Sequence, residues 1–240
     1  MYSNILILLT TALKKGSNLV IRDFNEIENS LSNSSYALNY SKQTQSKLQE
    51  FLHTDIAKFK NNYSFFIPPS NNIKNKDESN TFVLHGIIGL ENFMRAIPYF
   101  AMAISLKRDN KIYASVIYNP ITNEIFSVEK NNGAFFNQKK IKIANYKNKN
   151  IQNPLITTDT KSINLDSDLL SKNINISQCK ILDLCYVSIN KINTAIFHND
   201  ILEYDISPAI LFAQESGLLV HSEIINNNIT KLTASNVLQS

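Results

Sequence analysis

Between residues 81 and 144 the chain repeats one pattern: a short run of β-branched, aromatic or small apolar residues, then a polar step suited to a tight turn. The runs cover 81–84, 100–106, 111–118, 124–129 and 139–144, and turn residues Asp109-Asn110, Asn119-Pro120 and Asn132-Gly133 separate them. Strands joined by connections this short pair antiparallel, because a parallel pair needs a long crossover. The spacing therefore predicts an antiparallel meander, and the rest of the chain has to cover its faces.

Two long amphipathic segments precede it. One runs over 2–30, with Ile5, Leu8, Leu9, Ala12 and Leu13 at helical spacing and Leu19, Val20 and Ile21 after them; the other runs over 41–60, where Leu48, Phe51, Leu52, Ile56 and Phe59 form one stripe. Both are expected to pack on the sheet. Residues 60–80, rich in Asn, Lys and Ser, read as a surface loop around a short strand at 63–67, with Pro68-Pro69 inside it. After an Asn- and Lys-rich stretch at 145–153 come Leu155-Ile156, helices at 166–173 and 182–190, a strand at 194–198, and a helix at 205–216 that Gly217 closes. The reading is an α/β sandwich in two sub-domains: 1–150, α+β with the large antiparallel sheet, and 151–240, α/β, together one compact unit without internal repeats.

Composition removes several classes. With 240 residues, 43% apolar and only 18% charged, 13 Phe and 10 Tyr, the chain has ample material for a core and is not a disordered protein. No apolar run approaches the roughly 18 residues of a membrane span. Thirty-three Asn and 32 Ile read as A/T-rich coding before they read as function, whereas five Gly argue against an enzyme built on glycine-rich phosphate loops. Cys179 and Cys185 make neither a disulfide scaffold nor a zinc spacing. The apolar stretch at 5–9 has no basic residue before it and Lys14-Lys15 after it, the wrong order for a secretory signal, so the cytoplasm is expected. A net charge of +4 permits nucleic-acid contact without demanding it.

Six stretches carry a more specific signal: HGIIGLENF at 85–93, AISL at 103–106, ASVIYNP at 114–120, EIFSVEKNNGAFFNQKKIKI at 124–143, LDLCYVSIN at 182–190 and EYDISPAILFAQESGLLV at 203–220. In order and spacing they resemble the motifs of the inositol monophosphatase family, its bacterial SuhB-type branch in particular, and the resemblance runs from the first helix to near residue 237. It implies a layered α/β/α/β/α sandwich of the sugar-phosphatase type, usually a homodimer, with a final helix that this chain stops short of. It also implies hydrolysis of a phosphate monoester by water activated on bound Mg²⁺.

The ligands that the resemblance implies can be followed residue by residue. The family's Glu-Glu pair falls at Pro68 and Pro69. The two Asp of its D-P-L-D-G-T motif fall at His85 and Ile88, its Thr at Leu90, and only the Gly is kept, as Gly89. An earlier family Asp falls near Ser41, and the Asp of its W-D motif is matched by Asp205, the one retained metal ligand. On the substrate side, Gln178, Cys179 and Lys180 stand at the family's G-[ST]-A segment and His198 stands near its inositol-binding Glu. One carboxylate facing an ion that sheds water reluctantly, with hydrocarbon at Ile88 and Leu90, makes a poor Mg²⁺ site. The expectation is a degenerate member without Mg²⁺-dependent activity, kept for a binding or structural role and needing no cofactor, with Mg²⁺ only if activity survives. Two rivals remain: a phosphomonoesterase with shifted ligands, acting on inositol phosphate or a related sugar phosphate, and an RNA or transcription-complex accessory protein.

Several residues keep two readings. Asp205 is a relic ligand or the N-cap of the helix at 205–216, with Pro208 in its first turn. His85, His198 and Asp205 form a re-purposed transition-metal site or are unrelated. Backbone N–H groups at Gly89 and Leu90 hold a phosphorylated ligand without metal, or the segment is a packed strand-to-helix turn. Asp77 and Glu78 are substitute ligands or part of a solvated loop. Lys130, Lys139, Lys140, Lys142, Lys147 and Lys149, interleaved with Phe135, Phe136 and Tyr146, are an RNA or partner surface, or a strand with Lys wet and Ile inside.

Overall fold

A computed structural model of the chain describes residues 2–29, 34–143, 153–165, 169, 171–198, 201–225 and 228–235. Helix α1 (Asn4–Glu28) starts where the Ser3 side chain accepts from the Leu6 N–H, and it buries Leu6, Leu9, Leu13, Val20, Phe24 and Ile27. Helix α2 (Ser34–Ala57) crosses it closely at Gly16, where a Cβ would stand 2.8 Å from the Leu48 side chain. Strands β1 (Tyr63–Ile67), β2 (Asn71–Ile73) and β3 (Asp77–Ile88) follow, then the four-residue α3 (Leu90–Phe93). Next come β4 (Ala101–Arg108), β5 (Lys111–Asn119), β6 (Glu124–Glu129), β7 (Gly133–Phe136) and β8 (Lys139–Ile141).

These eight strands form one sheet in the order β2-β1-β3-β4-β5-β6-β7-β8; from β3 to β8 each pairs antiparallel with the next. The expected meander is there. Asp109 and Asn110 both take positive φ between β4 and β5, as do Asn137 and Gln138 between β7 and β8, the backbone of two-residue turns that suit the twist of the strands. Along β4 the faces separate with period two: Met102, Ile104 and Leu106 join the core under α1 and α2, while Ala101 and Ala103 join the core on the other side. A sheet buried on both faces explains why its strands read as nearly continuous apolar runs.

The expected loop at 60–80 is mostly strand. β2 lies inside it and β3 begins at Asp77, whose carboxylate accepts from the Ser79 and Asn80 N–H groups at 3.1 Å. Hydrogen bonds from the Ser79 and Asn80 side chains, with these backbone bonds behind them, hold that carboxyl below its ordinary value. Glu78 pairs with Lys74 at 3.1 Å, so both acids serve local surface contacts.

The second half begins with β9 (Leu155–Thr158) and α4 (Thr160–Leu165). Of the helix expected at 166–173, residues 166–168 and 170 lie outside the described residues, Leu169 and Ser171 lie in a 3₁₀ turn, and β10 (Asn173–Asn175) begins at its last position, which corrects that end. Then come α5 (Lys180–Ser188), β11 (Thr194–Phe197), β12 (Ile201–Leu202), α6 (Glu203–Ser216) and the hairpin β13 (Leu219–Ile225) and β14 (Asn228–Ser235). Gly217 closes α6 with φ +95, as expected. The second sheet runs β10-β9-β11-β14-β12, with β13 alongside β14; β9 is parallel to β10 and β11.

Helices α5 and α6 fill the space between the two sheets, so the layers run α1/α2, eight strands, α5/α6, six strands, with α4 against β11. This is the layered α/β sandwich that the resemblance implied. Among the described residues no helix is long and apolar enough to cross a membrane.

Candidate functional site

Where β3 ends, the N-termini of α5 and α6 converge on it and line a cavity of about 240 Å³ that is open to solvent. Ile88 comes from β3, Gln178 to Ile181 from the start of α5, and Ile201, Leu202, Asp205 and Ile206 from β12 and the first turns of α6. Gly89 makes the convergence possible. Its φ is +88, and a Cβ there would lie 3.1 Å from Cys179 Sγ and 3.3 Å from Phe100 Cβ, so only glycine lets β3 turn into α3 against the start of α5. The Cys179 thiol then points at the Ile88 carbonyl, 3.6 Å away.

Two polar ties hold α5 in place. The Asn92 amide donates to the Tyr99 and Ser177 carbonyls, both at 2.7 Å. The Asp183 carboxylate accepts from Tyr99 Oη and Ser177 Oγ, both at 2.6 Å. Burial raises the Asp183 carboxyl against the pull of these bonds, and the Tyr99 phenol is raised by the same burial. Cys179 and Cys185 are buried free thiols, both pushed upward by desolvation.

Asp205 is not an N-cap. β12 runs straight into α6 with Leu202 as the cap residue, which places Asp205 third in the helix and Pro208 sixth. An acid in the first turn still suits the helix dipole. Among the described residues, however, no ion pair or side-chain hydrogen bond reaches the Asp205 carboxylate, and burial alone pushes it up to about 6. Lys180 also faces the cavity, yet its Nζ sits 3.7 Å from Asp159 Oδ2 and 5.7 Å from the centre of the Phe197 ring.

The remaining residues singled out from the sequence lie elsewhere. His85 is buried in the first sheet, its Nε2 3.0 Å from Ser105 Oγ, which donates to Ser115 Oγ, which donates in turn to the Ile104 carbonyl. Desolvation pushes its imidazole down to about 3, so it is neutral at ordinary pH. His198 Nδ1 is 3.1 Å from Ser162 Oγ, which also donates to Asp159 at 2.8 Å. Each of these two histidines thus has a serine beside it, and among the described residues no three His, Cys, Asp or Glu side chains form a metal cluster. Pro68 and Pro69 are joined by a cis peptide; Gln49 donates to the Pro68 and Leu84 carbonyls at 3.3 and 3.1 Å, stitching α2 to that loop and to β3. Ser41 is buried and donates to the Ala37 carbonyl. Leu90 packs towards α1 and α2, and the Gly89 carbonyl accepts from the Asn92 and Phe93 N–H groups.

A Mg²⁺ ion asks for octahedral oxygen coordination at about 2.0–2.1 Å, usually with carboxylates supplying charge. This cavity offers one carboxylate, the Gln178 amide, an ammonium and hydrocarbon walls. These residues do not fit Mg²⁺. The walls themselves, Ile181, Ile201, Leu202 and Ile206, escaped the sequence reading; their only signal was apolar residues crowding the starts of two helices that lack a capping side chain.

The basic stretch is partly visible. Lys130, Lys139, Lys140 and Lys142 are exposed, whereas Phe135 is buried and Phe136 packs into the interlayer core, so neither ring is free to stack on a base. Tyr146, Lys147 and Lys149 lie outside the described residues.

Residues 2–222 match the inositol monophosphatase family. The inositol-1-monophosphatase of Mesorhizobium japonicum is 29% identical over 138 residues, 58% of this chain and 52% of that protein, so this match spans about half of the relative. The Nus factor SuhB of Pasteurella multocida is 23% identical over 226 residues, 87% of this chain and 81% of that protein. The crystal structure of the extragenic suppressor protein suhB from Bartonella henselae superposes with a TM-score of 0.81 at 25% identity, covering 98% of this chain and 94% of that one. With its motifs in order, its two sheets layered as expected and its match running along nearly the whole sequence, the chain belongs to the inositol monophosphatase family.

Proposed function

We propose that this chain keeps the family scaffold without Mg²⁺-dependent phosphatase chemistry and acts by binding. The observation that supports this most is the isolation of Asp205: it is the one carboxylate in a cavity otherwise lined by hydrocarbon, the Cys179 thiol, the Gln178 amide and a paired lysine. By resemblance, the other ligand positions hold Pro68, Pro69, His85, Ile88 and Leu90, none of which adds a negatively charged oxygen. Hydrolysis by metal-activated water draws on Lewis acidity that such a set does not hold in place. The expected result is no release of phosphate from inositol 1-phosphate above the blank, with Mg²⁺ or Mn²⁺ in excess. Turnover that vanishes in Asp205→Asn would overturn the proposal in favour of a phosphatase with shifted ligands.

A second reading, association with RNA in a transcription complex, draws on a relative named Nus factor SuhB and on the exposed Lys139, Lys140 and Lys142. It predicts a salt-dependent mobility shift with RNA that weakens about tenfold when Lys139 and Lys140 are replaced by Ala, because a protein with fewer ammonium groups on the phosphates releases fewer counterions and its salt slope is shallower. No shift at low salt removes this reading.

A further inference from the structure

The cavity at the head of α5 and α6 presents two surfaces to a ligand. Ile88, Ile181, Ile201, Leu202 and Ile206 are hydrocarbon, and the Asp205 carboxylate stands among them with no described cation beside it. Lys180, the other charged group on the wall, is already engaged by Asp159 and the Phe197 ring.

Each ligand class meets this arrangement differently. A phosphate or carboxylate would face Asp205 as a like charge, and Lys180, the one ammonium on the wall, already lies 3.7 Å from the Asp159 carboxylate. A divalent metal finds too few oxygens. An uncharged apolar molecule fits the walls and leaves a half-buried carboxylate without a partner, which is costly in so apolar a setting. A primary ammonium on a short aliphatic body satisfies both surfaces: the ammonium donates to Asp205, with the exposed Gln178 amide as a second acceptor, and the hydrocarbon removes the isoleucine walls from water. The size agrees, since about 240 Å³ is on the order of eight water volumes, enough for a four- to six-carbon amine.

We propose that this cavity binds a small aliphatic amine, with its ammonium on Asp205 and its carbon chain on the isoleucine walls. The proposal rests on the reading of the site as one without Mg²⁺ chemistry, and turns the position of a family metal ligand to the recognition of an organic cation.

Titration calorimetry on the full chain at constant ionic strength tests it, with n-butylammonium and cyclohexylammonium as probes and n-butanol, butyrate and inorganic phosphate as controls. Saturable binding of the ammonium probes is expected, at least tenfold weaker in Asp205→Asn and several-fold weaker in Leu202→Ser. Leu202 is 42% exposed, so its replacement leaves folding intact. Absence of saturation, equal affinity in wild type and Asp205→Asn, or tighter binding of butyrate or phosphate would each overturn the amine site. Phosphate release from inositol 1-phosphate by the same preparation would instead overturn the reading beneath it, so the two failures are told apart.

Discussion

Replacing Asp205 by Asn should stabilise the protein by on the order of 2–3 kcal/mol at pH 8 and leave its stability unchanged near pH 3. Burial lifts this carboxyl to about 6 in the folded chain from an ordinary value of 3.8, and each pKa unit is about 1.4 kcal/mol. A carboxyl whose folded value is raised makes the native state bind more protons than the unfolded one between those two values. Stability therefore falls as pH rises from about 3.8 to about 6, and the full cost persists above that window. Asn keeps the shape and removes the charge, so its advantage should appear across the same window. Urea unfolding of both proteins at pH 3, 5 and 8 measures it. Equal stability at pH 8 would mean that a neighbour already compensates the carboxylate. A charge retained at such a cost is what a binding site looks like when selection acts on function and stability is merely sufficient.

A larger loss is expected at the junction of the layers. Phe126, 0% exposed on β6, meets Phe136 of β7 at 5.1 Å between ring centres, Phe212 of α6 edge-on at 5.5 Å and Tyr186 of α5 at 5.8 Å. Phe126→Ala removes a ring shared by the first sheet and both central helices, and three aromatic neighbours cannot all collapse into the space. The expected cost is about 3–5 kcal/mol, or a melting temperature lower by roughly 10 °C for a chain of this size. Phe59→Ala, at a side chain 63% exposed, serves as the control, with an expected change within about 0.5 kcal/mol. A loss at Phe126 no larger than the control's would mean that the interlayer core is loosely packed.

The legible parts of the fold were those with a period. The alternation of Met102, Ile104 and Leu106 against Ala101 and Ala103, and the stripe through Leu48, Leu52 and Ile56, are consequences of burial that composition bias does not erase. The hairpin of β13 and β14 was not read because its Asn, Thr and Ser residues imitate a loop; its register against β11 comes from long-range pairing that no local window contains. α4 was not read because its start is set by a polar contact and not by an apolar stripe: the Asp159 carboxylate accepts from the Ser162 N–H at 2.8 Å. At the site, the match of Asp205 pointed to the cavity at the heads of α5 and α6, whereas sequence proximity to family positions grouped His85 with it. A bulge between Leu84 and Gly86 in the pairing of β3 with β4 lies at His85, whose ring bonds to Ser105 within the sheet.

The ends of the eight-stranded sheet have one more consequence. Among the described residues its outermost strands are β2 and β8, three residues each and mostly exposed, and β8 carries the exposed Lys139 and Lys140 at successive positions, one towards each face. An open edge is a template on which another chain can add a strand, and shortness and positive charge are the two devices that discourage it. Whatever else those lysines touch, their charge on so short an edge discourages another chain from adding a strand there, a role separate from any contribution to the stability of the fold.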